Sequence, residues 1–379
     1  MYKLMTPGPT QVRENVLNAR AQSRTNPDID PDFFNFYQET CQLISSLLNT
    51  KNETLILAGE GILGLEAACA SLTEPGDRVL VIDNGVFGKG FADFASLYGA
   101  EPVLFSTDYY QPVNPDDLRA FLKQDSNFKY ATLVHCDTPS GILNDINELC
   151  PILKEFGILS VVDSVSGTFG EPVYVDDSQI DILCGGSQKV VSAPPGLTFV
   201  TVSPEAKTAM KERETPIASF YANLLMFENY FENQWFPYTM PIHDIYGLRQ
   251  AMDNIKQDKE IFKRHQSIAK ATRAAFESAG LQLFLQTGHS STVTVVSVPE
   301  QTTVPAILDR MKKEHNIMIA GSFDFLDGQV LRIGHMGENA NKADMAATLE
   351  ALQETLTFLN VPLNSQLASV FQATLEELS

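Results

Sequence analysis

The run CGGSQKVVSAPPG, residues 184–196, decides the fold. An apolar segment, Ile180-Asp181-Ile182-Leu183, leads into it, and another, Leu197-Thr198-Phe199-Val200-Thr201-Val202, leads out. A lone lysine, Lys189, therefore sits where the chain turns between two strands that read as buried. An ammonium loses its hydration on burial, and most lysines avoid this by carrying the charge to the surface. Here Gly-Gly-Ser before the lysine and Ala-Pro-Pro-Gly after it specify the backbone of the turn tightly, which weakens that ordinary reading. A lysine in a largely desolvated pocket has a lowered pKa and becomes a nucleophile suited to Schiff-base chemistry.

The strand pattern of this run recurs upstream. Short β-rich runs fall at 54–57, 78–82, 102–105, 130–135, 159–163, 181–183 and 197–202, with helical patterns at 63–72, 88–98 and 146–156 between them. Near-continuous apolar strands separated by helices predict an α/β fold, a mainly parallel sheet covered on both faces. The two runs near residues 180–200 lie close together and predict a hairpin-like antiparallel insertion. A long helical stretch, 245–279, leads to a second, smaller α/β domain, with strands at 291–298 and 329–333 and helices at 304–314 and 342–358. Residues 367–378 read as a short amphipathic helix.

Composition narrows the class. A chain of 379 residues is too long for one small core. The net charge of −20 disfavours nucleic acid and anionic membrane as partners. There is no apolar run of membrane-spanning length and no signal-peptide pattern at the N-terminus. The five scattered cysteines read as reduced thiols, so a cytoplasmic protein is expected. The histidines have no metal-ligand spacing, and no metal is expected.

Four features fall at strand ends, where open α/β sheets place their ligands. Leu57-Ala58-Gly59-Glu60-Gly61-Ile62-Leu63-Gly64 joins a strand to a helix. It is either a phosphate cup or an ordinary glycine-rich turn, and Glu60 favours the second, because a carboxylate repels phosphate unless it points away. Asp83-Asn84-Gly85-Val86-Phe87-Gly88 sets Phe87 in a turn, where its ring either stacks on a flat ligand or fills the core. Asp163 ends an apolar strand and needs a partner, either a local donor or a protonated pyridine nitrogen. The fourth feature is Lys189. An anion site, an aromatic face, an acid for the ring nitrogen and a Schiff-base lysine are the parts that pyridoxal phosphate requires.

These residues carry a resemblance. Thr6-Pro7-Gly8-Pro9, Glu74-Pro75-Gly76-Asp77, Asn84-Gly85-Val86-Phe87-Gly88, His135-Cys136-Asp137-Thr138-Pro139-Ser140-Gly141, Val162-Asp163-Ser164-Val165, Gly186-Ser187-Gln188-Lys189 and Leu331-Arg332-Ile333-Gly334 resemble the signatures of the class V aminotransferases, in the alanine–glyoxylate and serine–pyruvate branch. The HCDTPSG loop matches a pattern written H-x-E-[ST]-x-[ST]-G. The resemblance implies a fold-type I enzyme that binds pyridoxal 5′-phosphate. Its large domain, with a mostly parallel seven-stranded sheet, would span 21–255 and its small domain 256–379. An N-terminal arm, 1–20, would join the small domain to the active site.

The resemblance also implies roles. Lys189 would form the Schiff base and act as the catalytic residue. Asp163 would pair with the ring nitrogen, Thr138 with the ring oxygen, and Phe87 would stack on the ring. Gly61, Ile62 and Gln188 would bind phosphate, with Thr239 reaching across from the second subunit of a homodimer. Arg332 would grip the substrate carboxylate, with Gly8 beside it, while His335 and Met336 would tune the pocket. The implied reaction moves an amino group from alanine or serine to glyoxylate or pyruvate; 2-aminoethylphosphonate–pyruvate and ureidoglycine–glyoxylate transamination are the alternatives. Glu60, Ile62 and Phe236 depart from the family pattern around the phosphate.

Overall fold

The computed structural model describes residues 2–378. Seven strands form the main sheet: β1 (Glu53–Ala58), β2 (Arg78–Asp83), β3 (Glu101–Ser106), β4 (Tyr130–Val134), β5 (Leu159–Asp163), β6 (Ile182–Gly186) and β7 (Leu197–Val202). Their spatial order is β1-β7-β6-β5-β4-β2-β3. Neighbours run parallel except at β7, which is antiparallel to both β1 and β6. The hairpin expected near residues 180–200 is present, but β7 is an internal strand of the sheet and not an insertion beside it. Full burial of every β7 side chain explains the absence of charged residues from it; its only polar members are Thr198 and Thr201.

The expected single helical stretch over 245–279 is two helices, Ile242–Gln257 and Ile261–Ser278. The break is at Asp258, whose backbone leaves the helical region and whose carboxylate takes both terminal nitrogens of Arg264, at 2.9 and 2.5 Å. A short acidic side chain that finds a local partner competes with helical propagation. Most buried residues of the first helix join the core under the main sheet, whereas Ile268, Ala271, Ala275 and Phe276 of the second pack with Ile307, Met311, Leu349 and Phe371 in a separate core. That second core lies beside an antiparallel pair, Val293–Ser297 with Val330–Gly334.

Helix Pro31–Leu47 was not anticipated. Asp30 caps it, Pro31 opens it, and Phe33, Phe34, Tyr37, Cys41 and Ile44 form its buried face.

The N-terminal segment ties these parts together. Lys3–Leu4 pairs in parallel with Ile317–Met318, and the Gly334 N–H donates to Met5 O at 2.8 Å. Thr10 then donates from its N–H to Gln188 O and from its hydroxyl to Lys189 O, at 3.1 and 3.0 Å. Residues 14–21 are not an extended arm: helix Glu14–Ala21 packs on helix Ile242–Gln257, where Asn15 and Asn254 exchange hydrogen bonds.

Gly334 marks the tightest approach of backbone to backbone among the described glycines. A Cβ there would lie 2.3 Å from Thr6 O and 2.5 Å from Pro7 Cα, both backbone atoms. Gly334→Ala should therefore destabilise by about 1–3 kcal/mol and free the N-terminal segment, read as a lower denaturation midpoint and faster proteolysis near Thr6. Gly90→Ala is the matched opposite: Gly90 lies inside helix Val86–Leu97 with open space at its Cβ position. It should stabilise by about 0.5–1 kcal/mol.

Candidate active site

The parallel strands end at one edge of the sheet, and the turns that follow gather there. Asp163 closes β5, His135 follows β4, Gln188 and Lys189 follow β6, Asn84 follows β2 and Glu60 follows β1. Lys189 is held by a loop that folds back on itself. Ser187 Oγ donates to Pro194 O at 2.8 Å, and the Ser192 N–H donates to Lys189 O at 2.9 Å. Lys189 Nζ donates to Pro7 O at 2.6 Å. A Cβ on Gly8, whose φ is +99°, would lie 2.4 Å from Lys189 Cδ. Glycine at position 8 is thus required twice, for its conformation and for the lysine's room. Burial, and then the Arg332 charge, push the Lys189 amine down to about 8, while Asp163 works in the opposite direction.

Asp163 is buried, and this pushes its carboxyl up to about 6 even though the Val165 N–H donates to Oδ1 at 2.9 Å. Its Oδ2 has no hydrogen-bond partner among the described residues. His135 stands beside it: its backbone N–H donates to Asp163 O at 2.8 Å and its Nδ1 meets Ser164 Oγ at 2.9 Å. Burial lowers the His135 imidazole to about 4, so it is neutral near pH 7.

Asp137 joins two of the turns, a role that sequence reasoning missed. Its Oδ1 accepts the Phe87 N–H at 3.0 Å and its Oδ2 the Ser140 hydroxyl at 2.7 Å. A Cβ on Gly85 would lie 2.6 Å from its Cγ. The signal was present, because Asp137 occupies the acidic position of the HCDTPSG loop. Thr138 is buried, and its hydroxyl forms no hydrogen bond among the described residues. The Phe87 ring meets Phe323 edge-on at 5.8 Å, and Phe323 also lies 5.5 Å from the Arg332 guanidinium. Arg332 donates from Nε to Gly321 O at 2.5 Å and from Nη1 to Thr138 O at 3.4 Å, and no carboxylate pairs with it directly. Burial lowers it to about 10, partly offset by Asp137.

The pocket roles expected of His335 and Met336 fail on geometry. His335 is fully buried, with Nε2 on Thr294 Oγ1 and Nδ1 on Ser291 O, and Met336 belongs to the core. Neither lines the pocket, because the chain turns into the core once the strand has ended at Gly334. Thr239 donates to Asp28 Oδ2 at 2.9 Å and makes no hydrogen bond to Gly61, Ile62 or Gln188 of its own chain.

The residues suit the pyridine ring of the implied cofactor. Asp163 has a free oxygen for a ring N–H, Thr138 has a free hydroxyl, and Lys189 carries a depressed amine. The phosphate end does not fit in the same way. Glu60 accepts the Ile62 N–H at 3.2 Å and Gln188 Nε2 at 3.1 Å, so a carboxylate of the chain takes two of the donors expected to hold phosphate.

Known proteins fit this geometry. The model of the family "Aminotransferase class-V" matches residues 4–322. The pyridoxamine–pyruvate transaminase of Mesorhizobium japonicum is 31% identical, over 92% of this chain and 90% of that one. The alanine–glyoxylate aminotransferase of Felis catus is 30% identical, over 93% and 87%. The crystal structure of a ureidoglycine–glyoxylate aminotransferase from Bacillus subtilis superposes with a TM-score of 0.95 at 28% identity, over 99% and 98% of the two chains. Likeness over nearly the whole length, on a sheet whose strand ends already bring Lys189 and Asp163 together, leaves one conclusion: the chain belongs to the class V aminotransferases, fold-type I transaminases whose family cofactor is pyridoxal 5′-phosphate.

Proposed function

We propose that this transaminase exchanges an amino group between a small 2-amino acid, alanine or serine, and a small 2-oxo acid, glyoxylate or pyruvate. The observation that carries the reading is Arg332, a half-buried guanidinium with no carboxylate pairing with it directly, electrostatically coupled to Lys189. A planar fork of this kind takes a carboxylate through two parallel hydrogen bonds. Phe323 and Phe87 beside it favour a short substrate side chain. The relatives' names support the same acceptors, pyruvate in one and glyoxylate in two.

When bound, the cofactor's ring supplies an electron sink for the pair released as the substrate Cα–H bond breaks. The protein does the rest. Arg332 fixes the carboxylate and so the direction of that bond. Asp163, whose Oδ1 alone is engaged by the Val165 N–H, would hold the ring nitrogen protonated through Oδ2. Lys189 Nζ would be the base that takes the proton from the substrate Cα and the acid that returns it. Pro7 O, which now holds Nζ, gives the free amine a resting position.

Lys189→Ala should abolish turnover, and an active variant would overturn the assignment. Arg332→Gln should lower kcat/KM for alanine about 100-fold or more, because two charge-assisted bonds are lost. KM should rise more than kcat falls, since the carboxylate is bound in ground state and transition state alike.

The amine also gives a pH signature. With Lys189 lowered to about 8, roughly a tenth is free amine at pH 7, against roughly one part in three thousand at an ordinary lysine pKa. The rate of reductive methylation at Lys189, followed by mass spectrometry, should rise through pH 8. Asp163→Asn removes a charge that raises the amine and should move the midpoint down; Arg332→Gln removes one that lowers it and should move the midpoint up.

A homodimer with the active site at the interface completes the reading. Phe220, Tyr221 and Trp235 are each more than half exposed close in sequence to Thr239, an apolar group that suits a subunit contact. Light scattering should give twice the 41.8 kDa chain mass, and a monomer that transaminates would exclude a Thr239 contribution from a partner.

A further inference from the structure

Glu60 sets the chemistry of one end of the site. Helix Gly61–Leu72 starts immediately after it, and the first N–H groups of a helix are donors without intrahelical partners. Glu60 has an extended backbone and caps that helix, with Oε1 on the Ile62 N–H. A cap needs nothing more, yet Oε2 also takes the Gln188 Nε2 donor from across the sheet. Gln188 is 7% exposed, and its own Oε1 is buried without a partner. The amide is therefore held in this orientation by Glu60; turned over, it would present oxygen to the carboxylate. Among the described residues no lysine or arginine pairs with Glu60, and Ile62 has no side-chain donor to add.

A phosphate monoester carries ~1.5 to 2 negative charges near neutral pH and only accepts hydrogen bonds there. It would compete with Glu60 for Ile62 and Gln188 while meeting a carboxylate with which no lysine or arginine pairs directly among the described residues. A hydroxymethyl group is neutral and carries an O–H, which a carboxylate, acceptor only, can receive. We propose that Glu60 makes this end of the site select unphosphorylated pyridoxamine and pyridoxal, whose hydroxymethyl group donates to the Glu60 carboxylate, over their phosphate esters. This deepens the transaminase reading and rests on it, since Lys189, Asp163 and Arg332 keep their roles. Without a phosphate to anchor it, the vitamer exchanges with solvent and acts as a substrate. The amino group of pyridoxamine passes to the 2-oxo acid and the carbonyl oxygen, by way of water, to the vitamer, giving pyridoxal and an amino acid with no net oxidation.

Isothermal titration of the full-length chain, freed of bound vitamers, with pyridoxamine and with pyridoxamine 5′-phosphate tests this. Neither has an aldehyde to react with Lys189, so the affinities report recognition alone. The wild type should bind pyridoxamine at least tenfold more tightly than the ester, and Glu60→Ser, which keeps a capping hydroxyl, should reverse the order. Equal or tighter wild-type binding of the ester overturns the proposal without recourse to any variant. A pyridoxamine preference that survives in folded Glu60→Ser overturns the assignment to Glu60. An alanine–glyoxylate assay with each vitamer separates the two readings: turnover with an ester preference sinks only the Glu60 proposal, whereas no binding of either vitamer and no turnover sink both.

Discussion

Keeping the Lys189 amine out of water at the end of β6 draws on segments far apart in sequence. The N-terminal segment supplies Pro7 O and the room left by Gly8. Thr10 bonds the backbone on either side of the lysine's Cα, at Gln188 O and Lys189 O. The segment after strand Val330–Gly334 closes the other side: Gly337 packs so tightly on the lysine loop that a Cβ would lie 2.1 Å from Ser192 Oγ, and the Glu338 N–H donates to that same oxygen. Each contact excludes solvent, and a desolvated ammonium gives up its proton more readily. The depressed amine is therefore a property of the assembled chain and not of the strand that carries it.

The same dependence explains what the sequence could and could not tell. The sheet strands were legible because both faces are covered, leaving fully buried, mostly apolar runs without charged residues at 130–134 and 197–202. Asp163 and Lys189 were legible because each is an ionisable residue at or just past the end of such a run, and Arg332 because it interrupts one. The break at Asp258 was not, because the surrounding Lys, Gln and Glu are good helix formers and only the later meeting with Arg264 marks the corner. Helix Pro31–Leu47 was obscured by three Phe and a Tyr within its first two turns, residues that suit strands equally well. His335 and Met336 adjoin Arg332 in the chain, and adjacency suggested a shared pocket. The strand ends at Gly334, and beyond it the chain turns into the core, so the period-two alternation that would relate these positions to Arg332 does not reach them.

Position 60 carries two demands that pull apart. A helix beginning at Gly61 gains about 1 kcal/mol from a side chain that caps it, and serine or aspartate would do that with less reach. Glutamate is long enough to cap and also to engage Gln188, which a cap does not need. The second bond places a carboxylate where it acts on both central groups, raising Asp163 and Lys189 alike. A phosphate cup receives its anion from the ligand and feels that field only when loaded. Here the chain supplies the anion itself, so Asp163 and Lys189 experience it before any ligand arrives. An added phosphate would then be a second anion in a space arranged for one, and this follows from the side-chain length at a single position, whatever the identity of the amino acid that Arg332 grips.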